Sequence, residues 1–335
     1  MTQRAALITG LAGSALTADE KAFLAAVRPA GIILFARNLQ SHDQIRRLVM
    51  DARCAIGSDD VLVAIDQEGG RVRRLRPPLG RALPPAAAYA ASYEEAPDAA
   101  RRAAYLAARL LADDLEELGI DMNCAPVLDL PVAGAHEIIG DRAYGHDVSQ
   151  VAALGRAVAE GLMDGGVVPV IKHIPGHGRA LADSHLSLPV VTTSAPELER
   201  TDFATFRALR NMPAAMTAHV VYTAFDADAP ASTSRTVTER VIRGVIGFDG
   251  LLMSDDLGMK ALAGPMRERA TAVIAAGSDL ALHCSGDLAE MHEAAAGVPT
   301  LSGAAWRRFE AALAVRSRRK RSEERRVGKE CRSRW

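Results

Sequence analysis

Cysteine is scarce in this chain, and the four present, Cys54, Cys124, Cys284 and Cys331, are scattered with no CxxC pair. That excludes a disulfide framework or a zinc knuckle and leaves ordinary thiols in a reducing compartment. Long apolar runs are also missing. The run from Ala5 to Leu11 is interrupted by Thr9 and Gly10. It is too short for a membrane span, weak as a signal-peptide core, and better read as a first strand. A soluble, cytoplasmic protein is expected, with no membrane partner. An excess of either charge is lacking too. The formal net charge is −1, so no basic field recruits nucleic acid. Neither GxGxxG nor GxxxxGK[ST] occurs, which sets a nucleotide-cradling loop aside, and no HExxH marks a helical zinc site. No linker and no repeat of fixed period interrupts the chain.

The C-terminal stretch from Arg321 to Trp335, RSEERRVGKECRSRW, has no apolar periodicity. It matches the conceptual translation of a common sequencing adapter and is read as a scar rather than as a nucleic-acid-binding arm. Its six Lys/Arg against three Glu give +3, so the remaining chain carries about −4. One catalytic domain over residues 1–320 is expected, followed by a non-native tail over 321–335.

What is abundant is short apolar segments alternating with helical ones. The composition is 49% hydrophobic, enough for a large core. Strand candidates are Ala5–Thr9, Gly31–Phe35, Val61–Ile65, Met122–Val127, Val168–Lys172, Ala214–Ala218, Leu251–Ser254 and Asp279–His283. Mostly apolar runs of this length suit parallel strands covered on both faces. Helical patterns cover Asp98–Leu118, with Asp98 as a candidate cap, then Ser149–Met163, Pro196–Arg210 and Thr238–Ile246. Eight alternating units predict an α/β fold, a single TIM-type (β/α)8 barrel, with a doubly wound open sheet as the alternative.

In such barrels chemistry sits at the carboxyl ends of the strands. Three motifs fall there. FDGLLMSDDLGM ends its strand on Asp255 and Asp256. A carboxylate partly desolvated at a barrel mouth can serve as a nucleophile, while Ser and Asp before Leu257 also fit a helix cap. Asp255 is expected to face the site and Asp256 to start the next helix. VIKHIPGHGRALADSH places Lys172, His173, His177, Asp183 and His185 within fourteen residues. AIDQEGGRVRRL places Asp66 after a strand and before Arg71, Arg73 and Arg74, a set that can grip sugar hydroxyls and an anionic group. IIGDRAYGHD adds Arg142 as a further clamp. A metal reading would use His173, His177 and His185 with Asp183 or Asp66, but the spacing matches no recognised ligand pattern.

With these segments in view, the chain resembles glycoside hydrolase family 3, and within it the single-domain β-N-acetylhexosaminidases of peptidoglycan recycling. GIILFARN, AIDQEGGRVRRL, NCAPVLDL, IIGDRAYGHD, KHIPGHG, DSH, AHVVYTAFD and FDGLLMSDDLGM carry the likeness, in the family order. KHxPGHG followed by DSH is the most specific, because the family's β-glucosidases usually take a glutamate acid/base from a second domain. Ile174 departs from a usual Phe and Gly258 from a frequent Ser.

The resemblance implies roles. Asp255 is the nucleophile, His185 the acid/base and Asp183 its partner, while Asp66, Arg74, Arg142, Lys172 and His173 hold the sugar. It also implies a metal-independent, cofactor-free enzyme, expected to be a monomer, acting on a small carbohydrate. That substrate would be N-acetylglucosamine β-linked to 1,6-anhydro-N-acetylmuramic acid, with or without a stem peptide. Imidazole titrates near pH ~6.5, so a histidine oriented by an aspartate can give and then take a proton at neutral pH. A sugar-binding barrel without turnover is the alternative from another class.

Overall fold

A computed structural model describes residues 3–134, 136–180 and 187–316. Eight parallel strands close into a barrel: β1 Ala5–Gly10, β2 Pro29–Leu34, β3 Leu62–Ile65, β4 Met122–Asn123, β5 Val168–Ile174, β6 Ala214–Thr217, β7 Leu251–Asp256 and β8 Leu280–His283. Each strand neighbours the next in sequence, and β1 pairs with β8, Leu7 opposite Ala281, to close the ring. Every residue of β2, β3, β5 and β8 is buried. Such strands need helices outside and filled layers inside, which is why they read as apolar runs. The closed ring excludes the open doubly wound sheet.

Local chemistry sets the helix starts. Thr17 and Glu20 form a reciprocal capping box before helix Ala18–Val27, and the Asp147 carboxylate accepts from the amides of Ser149 and Gln150 before Val148–Asp164. Gly161 lets that helix lie against Pro97–Glu117, since a Cβ there would sit 2.4 Å from the Tyr105 carbonyl oxygen.

The expected elements need four corrections. β4 stops at Asn123, short of Val127. Pro126 has no N–H to continue a ladder, and only an isolated bridge joins Val127 to Lys172. Asp98 caps nothing: Ala96 occupies the cap, Pro97 the first helical position, and Asp98 pairs with Arg101. The predicted helix Pro196–Arg210 is two, Ala195–Arg200 and Asp202–Ala208. The chain leaves helical geometry at Thr201 (φ −113°, ψ −89°), whose hydroxyl donates to the Glu197 carbonyl (2.7 Å), and Arg179 holds the buried Asp202 (2.6 Å). Finally, Asp256 starts no helix, since the next one begins at Met266. The other late helical segment, Val237–Val245, lies within a residue of its expected bounds and is wound wide, as a π-helix.

Candidate active site

The carboxyl ends of β2, β3, β5, β6, β7 and β8 surround a cavity of about 250 Å³. Its floor is a row of alternating charges. Arg74 donates to Asp66 (3.0 Å), and Lys172 donates to both Asp66 (2.9 Å) and Glu68 (2.7 Å). Arg142 grips Glu68 with two parallel bonds of 2.9 and 2.8 Å. Three cations thus face two carboxylates. Only Arg74, at 29% side-chain exposure, reaches appreciably into solvent.

Opposite this row, Asp255 ends β7. Its carboxylate accepts from the Asp256 amide (2.8 Å). Asp256 also lines the cavity, and its carboxylate accepts from the amides of Gly258 (3.0 Å) and Cys284 (3.1 Å), stitching β7 to the end of β8. His173 reaches the cavity from β5, and His177 lines it from the loop that follows. That loop is rooted against the segment after β4. Gly178 is required there, because a Cβ would lie 2.1 Å from the Leu130 carbonyl oxygen, and His136 N–H donates to the Ala180 carbonyl (2.9 Å). Asp183 and His185, the expected acid/base pair, lie outside the described residues.

The match to a family model spans nearly all of the described chain: Glycosyl hydrolase family 3 N terminal domain, residues 6–314. This chain belongs to glycosyl hydrolase family 3.

A β-hexosaminidase of Alkalilimnicola ehrlichii is 42% identical over 283 residues, 83% of this chain and 80% of that protein. NagZ from Neisseria gonorrhoeae, solved in complex with N-trifluoroacetyl-D-glucosamine, superposes with a TM-score of 0.84 at 35% identity, covering 92% of this chain and 90% of that one. A family 3 β-N-acetylglucosaminidase from Paenibacillus also gives 0.84 at 32% identity, and this chain spans 61% of that longer protein.

In this family 3 hydrolase the site's electrostatics follow from burial and pairing. Burial alone would push Asp66 and Glu68 up, but Lys172 with Arg74 or Arg142 overrides it and holds both carboxylates below their ordinary range. Burial disfavours the Lys172 charge as well, yet Asp66 and Glu68 hold it above an ordinary lysine. Asp255 stays ionised for the same kind of reason: burial opposes its charge, and His173 and His219 outweigh burial. Asp256 moves the other way, pushed up first by burial, with Asp255 beside it adding to the shift. Two adjacent aspartates that line one cavity thus differ in charge tendency.

Three residues of this site were not singled out from the sequence. Glu68 shares the floor with Asp66, two positions earlier in the same strand-end segment. Asp129 follows β4, fully buried, and accepts from His173 and His177. His219 follows β6; its Nε2–H donates to the Asp256 carbonyl (3.0 Å), and its Nδ1 shares a hydrogen bond with the Ser232 hydroxyl (2.7 Å). All three obey the positional rule that pointed to Asp255, a polar residue just past the apolar run of a barrel strand. Among the described residues no group of three or more His, Cys, Asp or Glu is placed to hold a metal ion.

The His177 ring gives a stability prediction. Burial, and then the neighbouring His173, depress its pKa to about 4. Between about 4 and 6.5 the unfolded chain binds a proton here that the folded chain does not. The contribution is therefore fully present above pH ~6.5 and shrinks as pH falls to ~4, by about 3 kcal/mol over the window. Melting curves should show wild type losing its advantage over His177→Gln as pH drops from 7.5 to 5. A gap that stays constant over that range would show that the ring is not held neutral.

Proposed function

We propose that this β-N-acetylhexosaminidase is a retaining enzyme. It would release terminal β-linked N-acetylglucosamine from muropeptide fragments, N-acetylglucosaminyl-1,6-anhydro-N-acetylmuramic acid with or without peptide, in cytoplasmic cell-wall recycling. The observation that carries the reading is the ionised, half-buried Asp255 carboxylate, which lines one cavity together with the charged floor. Asp255 attacks the anomeric carbon and forms a covalent glycosyl-enzyme. His185, charged and oriented by Asp183, protonates the departing oxygen and then takes a proton from the water that releases the sugar. Asp66, Lys172, Arg74, Arg142 and His173 hold the sugar ring, and Glu68 locks Lys172 and Arg142 in place. No metal takes part, and one copy of the chain suffices. No helix among the described residues is long and apolar enough to cross a membrane, which accords with a substrate met in solution.

The test is a pair of chromogenic substrates. An aryl N-acetyl-β-glucosaminide should be cleaved far faster than the matching aryl β-glucoside. Activity should also survive exhaustive chelation. Equal rates on the two glycosides would overturn the substrate class. Loss with EDTA that zinc restores would overturn the metal-free mechanism.

A further inference from the structure

We propose that Asp129 is a positioning residue: it fixes which nitrogen of His173 faces the sugar and anchors the backbone at His177, just past the end of β5. One carboxylate performs both tasks. Its Oδ2 accepts from His173 Nδ1 at 2.6 Å, and its Oδ1 accepts from the backbone amides of His173 (3.1 Å) and His177 (2.7 Å). The residue is wholly buried and His173 nearly so, so water cannot substitute for either bond. His173 in turn lines the cavity. With Nδ1–H committed to the Asp129 carboxylate, the ring turns Nε2 toward the cavity. The same carboxylate pins the first residues of the loop just before Gly178 meets Leu130. Sugar contact and loop origin therefore share one anchor.

The role of His173 against the sugar comes from the function proposed above, whereas the ring's protonation pattern does not depend on it. Asp129→Asn separates the two. The two backbone amides demand an oxygen, so the asparagine Oδ1 keeps them and its NH2 group is turned toward His173 Nδ1. Two donors cannot face each other. The ring must give up its Nδ1 proton and carry its one proton on Nε2.

Nitrogen-15 histidine spectra should show His173 Nδ1 protonated in the wild type and unprotonated in Asp129→Asn. The variant should keep its Tm to within a few degrees and lose about ten- to hundred-fold in kcat/KM on the aryl N-acetyl-β-glucosaminide, the size expected of one reversed buried hydrogen bond. Placed on a His173→Asn background, the same substitution should cost no more than about twofold, because its effect passes through the ring. Asp129→Ala should lose stability as well, having lost both amide acceptors.

An unchanged protonation pattern in Asp129→Asn would overturn the proposal, as would an equal cost of that substitution with and without His173. If the spectra change as expected but neither glycoside is a substrate, the positioning role stands and the proposed function falls.

Discussion

Asp255→Ala should abolish turnover of every substrate, by several powers of ten, each tenfold being about 1.4 kcal/mol of lost transition-state stabilisation. A good leaving group cannot rescue it, because the nucleophile forms the intermediate whatever departs. The neighbouring Asp256 cannot step in either: the amides of Gly258 and Cys284 engage its Oδ1, and burial raises its pKa. Folding should survive, since among the described residues the hydrogen bond that Asp255 accepts comes from the adjacent amide rather than from a distant element. A small anion such as azide, entering where the carboxylate stood, should restore part of the rate on an activated aryl glycoside. The product should be the glycosyl azide of inverted configuration, because only one displacement then occurs. Residual turnover within tenfold of wild type, or a restored product of retained configuration, would remove Asp255 from the nucleophile's role.

His185→Ala should produce a different pattern, and its shape matters more than its size. The acid is needed in proportion to how poor the leaving group is. With a phenolate the first step should survive largely intact, while the second slows because water has lost its base. The expected record is a burst of phenol followed by slow turnover, with KM falling alongside kcat. On the natural disaccharide the same variant should be nearly dead, because a sugar alkoxide leaves poorly without a proton. Asp183→Ala should fall on the same side, less severely. Equal losses on both substrates without a burst would make His185 a binding residue.

The barrel was legible for a simple reason. Parallel strands buried on both faces must be apolar throughout, so all eight stood out as short runs, and polar residues just beyond them marked the mouth. Punctuation inside elements was harder to read. One strand ended early because of Pro126, and one helix was split at Thr201. Beside that break Asp202 is held by Arg179, a partner from another part of the chain that no local pattern records. The same limit applies within the site. Asp255 and Lys172 announced themselves by position. Glu68 did not, because its importance lies in two partners, Lys172 and Arg142, that only folding brings to it. Asp129 sat in a motif that was recognised, NCAPVLDL, yet its partner His173 lies 44 residues away.

The alternating row Arg74–Asp66–Lys172–Glu68–Arg142 constrains how this enzyme can change over generations. Neutralising Glu68 takes from the largely buried Arg142 its paired carboxylate, at about 3–5 kcal/mol. That is a large share of the roughly 5–15 kcal/mol by which a domain of this kind stays folded. Substitution of Glu68 is therefore tolerated best together with a compensating change at Arg142. Diversification toward new sugars would have to proceed through the uncharged part of the wall, such as Phe35, Met216 and Met259. Directed-evolution libraries confined to those three positions should yield folded variants far more often than libraries of equal size placed on the charged row.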